Sequence, residues 1–262
     1  MAVQSQTEVV RRIHFALEAA RDIFSRFTPG EIETEYKSGH DPVTEADRAV
    51  DAALRKELLR DDEGWLSEES ADDFSRLEKS RVWIVDPLDG TREFVEGIPE
   101  FCVSVAMVED GRAVAGGICN PATNEVFLGS LDSGATYNGK PCGVTRRESL
   151  AGATILASRS ESKRGEWQRF TQADFQVRPM GSVAYKLALV AAGLADATFT
   201  LVPKHEWDVA GGAALVESAG GAVRTLQGTP LCCNNRAVLI SGLLACGPGL
   251  LEPLTGIVQQ SA

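Results

Sequence analysis

Residues 83–94, WIVDPLDGTREF, run from an apolar stretch into a pair of carboxylates. Val82, Trp83, Ile84 and Val85 suit a buried strand. Asp86-Pro87 is a turn signal that predicts the end of that strand, and Asp89-Gly90 follows at once. The strand therefore delivers Asp86 and Asp89 to its end. Pro87 fixes one backbone angle between them, and Gly90 lets the chain turn close to a ligand. Two carboxylates about 4 Å apart repel by roughly 4 kcal/mol at an effective dielectric near 20, and one of them takes a raised pKa. A hard divalent cation removes the conflict, and oxygen ligands suit Mg2+. The backbone N–H groups of Gly90, Thr91 and Arg92 then offer an anion-binding concavity beside the cation. A bare DxxD is also read as a polar turn after a strand.

Further stretches share this chemistry. Pro42-Val43-Thr44-Glu45-Ala46-Asp47 opens a helix whose buried face is Val50, Ala53, Leu54 and Leu58. Thr44 and Asp47 form a capping-box-like pair. From pattern alone, Asp47 either complements the helix dipole or serves a site. Gly64-Trp65-Leu66 reads as a short strand entering Ser67-Glu68-Glu69-Ser70. Near the other end, Trp207-Asp208-Val209-Ala210 starts a helix that runs to Glu217-Ser218-Ala219-Gly220-Gly221. Asp208 is read equally as a helix cap.

Together these motifs closely resemble the signature of the inositol monophosphatase superfamily, Mg2+-dependent sugar phosphatases whose motifs look like DP(I/L)DGT and WDxA followed by EAGG. Ser218 stands where that family usually has Glu. The resemblance runs in order from Asp41 to about Gly242. It implies an α/β fold, a five-layer αβαβα sandwich. It also implies that Glu68, Asp86, Asp89, Asp208 and the Leu88 carbonyl hold two or three Mg2+ ions. Asp47 would help order the attacking water. Thr91, paired with Glu68 or Asp47, would orient the water or take its proton, and the Gly90 and Thr91 amides would hold phosphate oxygens. Attack is expected in line and without a covalent intermediate, since no Cys, Ser or His stands in a nucleophile motif.

The substrate side is more specific. The family's inositol phosphatases usually carry an acid seven residues before the second-motif Asp, and Leu201 stands there. A leucine cannot accept a polyol hydroxyl, which is penalised if unpaired. Lys204-His205-Glu206-Trp207-Asp208 looks more like the 3'(2'),5'-bisphosphate nucleotidases, which act on 3'-phosphoadenosine 5'-phosphate. Ser158, Arg159, Ser182, Lys186 and Glu206 are the substrate-side candidates on this resemblance, with Arg159 and Lys186 meeting a second phosphate. Lys186 also fits a snorkelling lysine in an apolar helix. Inositol 1-phosphate or another sugar phosphate is the alternative substrate, and a non-catalytic binding protein on the same fold is the alternative class. Lys37 and His40 lie in a Gly-containing loop, either over the substrate or simply exposed.

Around these motifs the chain divides at about residue 150. Residues 1–150 hold a helix over 8–27, the metal-site motifs and an antiparallel meander of about six strands, with turns at Asp110-Gly111, Asn120-Pro121 and Asn138-Gly139. Residues 151–262 alternate helix and strand, with helices expected over Glu166–Phe170, Ser182–Ala192 and Trp207–Ser218. The 262 residues carry a net charge of −11, which argues against nucleic-acid polymers and anionic membranes as partners. A small phosphorylated substrate remains compatible once cations are bound. No apolar run reaches membrane-span length, and the first residues lack a signal-peptide core, so a cytoplasmic protein is expected, as monomer or homodimer. Six cysteines without a CxxC pair read as reduced, mostly buried thiols.

Overall fold

The strand that carries Asp86 and Asp89 is the second of a seven-stranded sheet. The computed structural model describes residues 5–31, 35–36, 42–170 and 173–260; Lys37 and His40 lie outside them. Strands β1 (Gly64–Ser67), β2 (Arg81–Asp89), β3 (Cys102–Glu109), β4 (Arg112–Asn120), β5 (Glu125–Ser130), β6 (Gly134–Tyr137) and β7 (Lys140–Cys142) lie side by side in sequence order. β1 runs parallel to β2, and every later pair is antiparallel. Asp110-Gly111 and Asn138-Gly139 turn the chain with positive φ at both residues (47° and 83°, 47° and 75°), the geometry of two-residue hairpins. The second of these turns adds β7, so the sheet exceeds the expected six strands.

The β2 strand does not stop at Asp86-Pro87. Asp86 lies opposite Ser104 and Asp89 opposite Cys102, with a bulge between. Three steps on β2 thus span two on β3, and Pro87, which has no N–H to give, sits where the ladder is interrupted. The expected turn is a bulge that re-aims both carboxylates while pairing continues.

Helices α1 (Gln6–Phe24) and α2 (Glu45–Leu58) cover one face of this sheet. Their stripes of Val9, Ile13, Leu17, Val50 and Leu54 pack on Trp83, Val85, Val103 and Met107. Two short helices follow, α3 (Thr91–Val95) and α4 (Arg159–Lys163). The opposite face of the sheet carries α5 (Val183–Ala191) and α6 (Glu206–Ser218). α6 is apolar nearly all round, with Val209, Ala210, Ala213, Ala214, Leu215 and Val216 buried, as a helix between two layers must be. It lies almost on the sheet backbone: a Cβ on Gly116 would come 2.4 Å from the Gly211 carbonyl oxygen.

Beyond α5 and α6 lies a five-stranded sheet of β8 (Ala153–Ser158), β9 (Phe175–Met180), β10 (Ala197–Thr200), β11 (Ala222–Thr225) and β12 (Leu243–Cys246), in the order β9-β8-β10-β12-β11. The first three are parallel and β12 is antiparallel to both its neighbours. Helix α7 (Leu251–Gln260) closes the outer face, with Leu254 and Val258 packed near Trp167, Phe170 and Phe199. Helix, sheet, helix, sheet, helix gives the five expected layers.

One expected element is different. Glu166–Phe170 is not an α-helix; the helix there is α4, capped by Ser158, and only a 3-10 turn forms at Gln168–Phe170. Gly165, at φ 82°, separates the two. Four of the six thiols are buried, Cys142 is intermediate and Cys232 exposed, and none is bridged. Among the described residues no helix is long and apolar enough to cross a membrane.

Candidate active site

Three chain segments meet beside the β2 bulge. Asp86 is buried in the bulge and accepts the Leu88 N–H at 3.0 Å. Asp89 closes the strand, and its Oδ2 accepts from the Ser182 hydroxyl and the Ala184 N–H, both at 2.6 Å. Asp208 comes from the first turn of α6, where one oxygen accepts the His205 N–H at 2.9 Å. One carboxylate oxygen from each of Asp86, Asp89 and Asp208 lies within 4.8 Å of the others.

The turn after Asp89 is held firmly. Gly90 has φ 96°, and a Cβ there would meet the Glu100 carbonyl oxygen at 2.9 Å and Phe101 Cα at 3.2 Å. Phe94 then anchors α3 edge-on against Phe24 and Phe101, at centroid distances of 5.6 and 5.0 Å. The Thr91 hydroxyl lies 3.0 Å from the Leu88 carbonyl and 3.4 Å from Asp47 Oδ1. Asp47 is itself fixed by a full capping box, its Oδ2 accepting from the Thr44 N–H at 2.8 Å and hydroxyl at 2.5 Å. The cap and site readings of Asp47 are thus compatible: one oxygen caps α2 and the other faces Thr91.

Asp86, Asp89, Gly90, Thr91 and Asp208 line a cavity of about 280 Å³ together with Glu68, Leu88, Ser158, Arg159, Ser182 and Lys186; Asp47 stands behind Thr91 and is not part of that lining. Burial drives the Asp86 carboxyl well above its usual range, and the charges of Glu68, Asp89 and Asp208 add to the effect. Burial, then Asp89, pushes Asp208 up to about 8. Gathered, desolvated carboxylates of this kind either take protons or take a cation. The donors are oxygen only, which fits a hard divalent ion. The clustered Asp86, Asp89 and Asp208 are the groups that could hold it; Glu68 and Leu88 line the same cavity outside that cluster.

The substrate candidates divide. Arg159 lines the cavity, but its guanidinium is paired with Glu100 and stands 3.7 Å from Glu93. Lys186 is buried, and its ammonium donates to the Ser182 carbonyl at 2.7 Å and the Gly181 carbonyl at 3.3 Å. Glu206 is not brought to the cavity. It is fully buried and accepts from the Asn234 N–H (2.6 Å), the Asn235 N–H (2.9 Å) and the Asn235 side-chain amide (2.7 Å). It ties down the 234–235 loop because the first turn of α6 points Glu206 and Asp208 in different directions. Lys204, quoted above only as the first residue of the segment leading to Asp208, does line the cavity. Its one signal is its place four residues before Asp208. Leu201 packs against the outer core layer.

One backbone feature stands out. Ser182, the N-cap of α5, has φ 52° and ψ 120°, a conformation that costs a non-glycine residue on the order of 1–3 kcal/mol. Its hydroxyl donates to Asp89 and accepts the Tyr185 N–H at 3.0 Å.

The inositol monophosphatase family model matches residues 5–260. The chain belongs to the inositol monophosphatase family. An inositol-1-monophosphatase of Rhizobium meliloti (strain 1021) is 33% identical over 239 residues, covering 87% of each chain. The Nus factor SuhB of Xylella fastidiosa (strain Temecula1 / ATCC 700964) is 36% identical over 204 residues, covering 73% of this chain and 72% of that one. The solved inositol monophosphatase from Anabaena (Nostoc) sp. PCC 7120 superposes with a TM-score of 0.82 at 27% identity, covering 98% of this chain and 97% of that one. Members of the inositol monophosphatase family are metal-dependent phosphatases, and this chain is a phosphoric monoester hydrolase.

Proposed function

We propose that the chain is a 3'(2'),5'-bisphosphate nucleotidase that hydrolyses 3'-phosphoadenosine 5'-phosphate to AMP and phosphate. Glu68, Asp86, Asp89, Asp208 and the Leu88 carbonyl hold Mg2+, two or three ions. Bound there, Mg2+ supplies the charge that makes water easier to ionise and offsets charge on the leaving oxygen. Asp47 and Thr91 do the proton work. The Thr91 hydroxyl orients the attacking water, and Asp47, whose carboxyl burial pushes up, takes the proton through that hydroxyl. The Gly90 and Thr91 N–H groups donate to the phosphate oxygens as charge builds on them. Water attacks phosphorus, the P–O ester bond breaks, the leaving oxygen takes a proton from solvent to become the AMP hydroxyl, and no enzyme side chain bonds to phosphorus.

The observation that carries the nucleotide over inositol is at Leu201. The position where the family's inositol phosphatases usually place a hydroxyl-binding acid holds a leucine turned into the outer core, while Arg159 and Lys204 line the cavity. Those cations suit a substrate with a second anionic group. A second reading, inositol 1-phosphate, draws on Arg159: its pairing with Glu93 and Glu100 offsets the charge a second phosphate would use. Six unbridged thiols suit a reducing compartment, the cytoplasm. Phosphate release with Mg2+, from 3'-phosphoadenosine 5'-phosphate and inositol 1-phosphate at equal low concentration, separates the readings. Faster release from the nucleotide supports the first; faster release from inositol 1-phosphate overturns it.

A further inference from the structure

Asp89 depends on the start of α5. Both donors to its Oδ2 come from there: the hydroxyl of Ser182, in the turn before the helix, and the N–H of Ala184, in the helix's first turn. The turn is unfavourable by itself, with Ser182 at φ 52°. It is also crowded: a Cβ on Gly181 would fall 2.4 Å from Glu93 Cδ. One side of it is fastened by Glu100, which accepts the Gly181 N–H at 2.7 Å. The other side is fastened by Lys186, which folds back over its own helix start to reach the Gly181 and Ser182 carbonyls. Among the described residues Lys186 makes no ion pair; burial pushes its ammonium down to about 8, and Asp89 is the carboxylate that most opposes this. A buried ammonium spent on two carbonyls is costly, and what those bonds secure is the carbonyl side of the Ser182 turn.

We propose that Lys186 is a positioning residue: by holding the Gly181 and Ser182 carbonyls it keeps the turn and the helix start whose hydroxyl and amide orient Asp89 toward the cation. The proposal rests on Asp89 being a cation ligand. It assigns Lys186 to the support of the metal site in place of the substrate's second phosphate, and leaves Arg159 and Lys204 for that group.

Mn2+ binding to the full chain, followed by the electron paramagnetic resonance of the free ion, tests it alongside steady-state kinetics with Mg2+. Lys186→Met is expected to weaken Mn2+ binding about tenfold or more, the scale of groups supporting metal ligands. Ser182→Ala, which removes one hydroxyl and no charge, carries the same expectation and stands if the lysine variant does not fold. The double variant is expected to lose little more than the weaker-binding single one, because both act through one contact to Asp89. At saturating Mg2+ the KM of Lys186→Met stays near wild type. Unchanged Mn2+ affinity with a raised KM would overturn the proposal and return Lys186 to the substrate; additive losses would overturn it too. Asp89→Asn separates this from failure of the metal reading, since wild-type Mn2+ affinity in that variant would sink the ligand assignment itself.

Discussion

The Thr91 hydroxyl and the Asp47 carboxylate meet at 3.4 Å across 44 residues of chain. The two belong to different helix starts, α3 and α2, and each is fixed from behind: Thr91 by the Leu88 carbonyl, Asp47 by Thr44. A pair held this way orients water with only the Thr91 hydroxyl hydrogen left to swing from the Leu88 carbonyl to Asp47. Thr91→Val and Asp47→Asn are each expected to lower kcat by about 10²–10⁴-fold, with KM little changed and the double variant no worse than the single ones. Initial-rate kinetics at saturating Mg2+ checks this, and near-wild-type turnover in either variant would remove the pair from the mechanism.

Removal of divalent cations by EDTA is expected to abolish phosphate release, and Mg2+ to restore it. Binding to the folded state alone also stabilises, by about 2.7 kcal/mol at a hundredfold excess over Kd, so the wild-type melting temperature rises with Mg2+. Asp89→Asn removes one of the three clustered carboxylates; neither its turnover nor its melting temperature is expected to respond in this way.

Gly90→Ala places a methyl against the backbone of Glu100 and Phe101 at a residue with φ 96°. Neither neighbour is a flexible side-chain end, so the turn itself must shift. A loss of about 2 kcal/mol or more is expected in urea unfolding, in the range of a strained backbone position. Activity falls with it, because Thr91 is carried on the same turn.

Glu206→Ala tests a residue that looked substrate-facing in sequence and is not. It removes the acceptor of three hydrogen bonds from Asn234 and Asn235. Hydrogen bonds to a charged group contribute about 1.5–3 kcal/mol each, so a clear drop in the urea midpoint is expected while KM for the substrate holds. A raised KM with unchanged stability would restore Glu206 to the substrate.

Much of the site was legible because its parts are local. The apolar run ending in Asp86-Pro87, the Thr44–Asp47 capping box and the Asn-Gly and Asp-Gly turns each depend on residues a few positions apart. What misled was direction. The bulge at Pro87 and the facing of Glu206 against Lys204 depend on how β2 pairs with β3 and how α6 is rotated between its layers. Neither has a signature in spacing. The Glu100–Arg159 pair, 59 residues apart, and the Ser182–Asp89 contact, 93 apart, are likewise set by packing alone.

By itself the sequence determined that Asp47 and Asp208 stand in the first turns of their helices and that Asp89 lies at the end of its strand, since caps, turns and apolar periods act over one or two turns of chain. Only the tertiary structure decided that Asp86, Asp89 and Asp208 fall within 4.8 Å of one another and that Lys186 turns inward. The physical reason is burial. Seating α6 between two sheets, with Gly116 admitting its backbone, brings Asp208 onto the β2 bulge beside Asp89 and the buried Asp86. That gathering of carboxylates around a buried one makes the cluster a place for a cation.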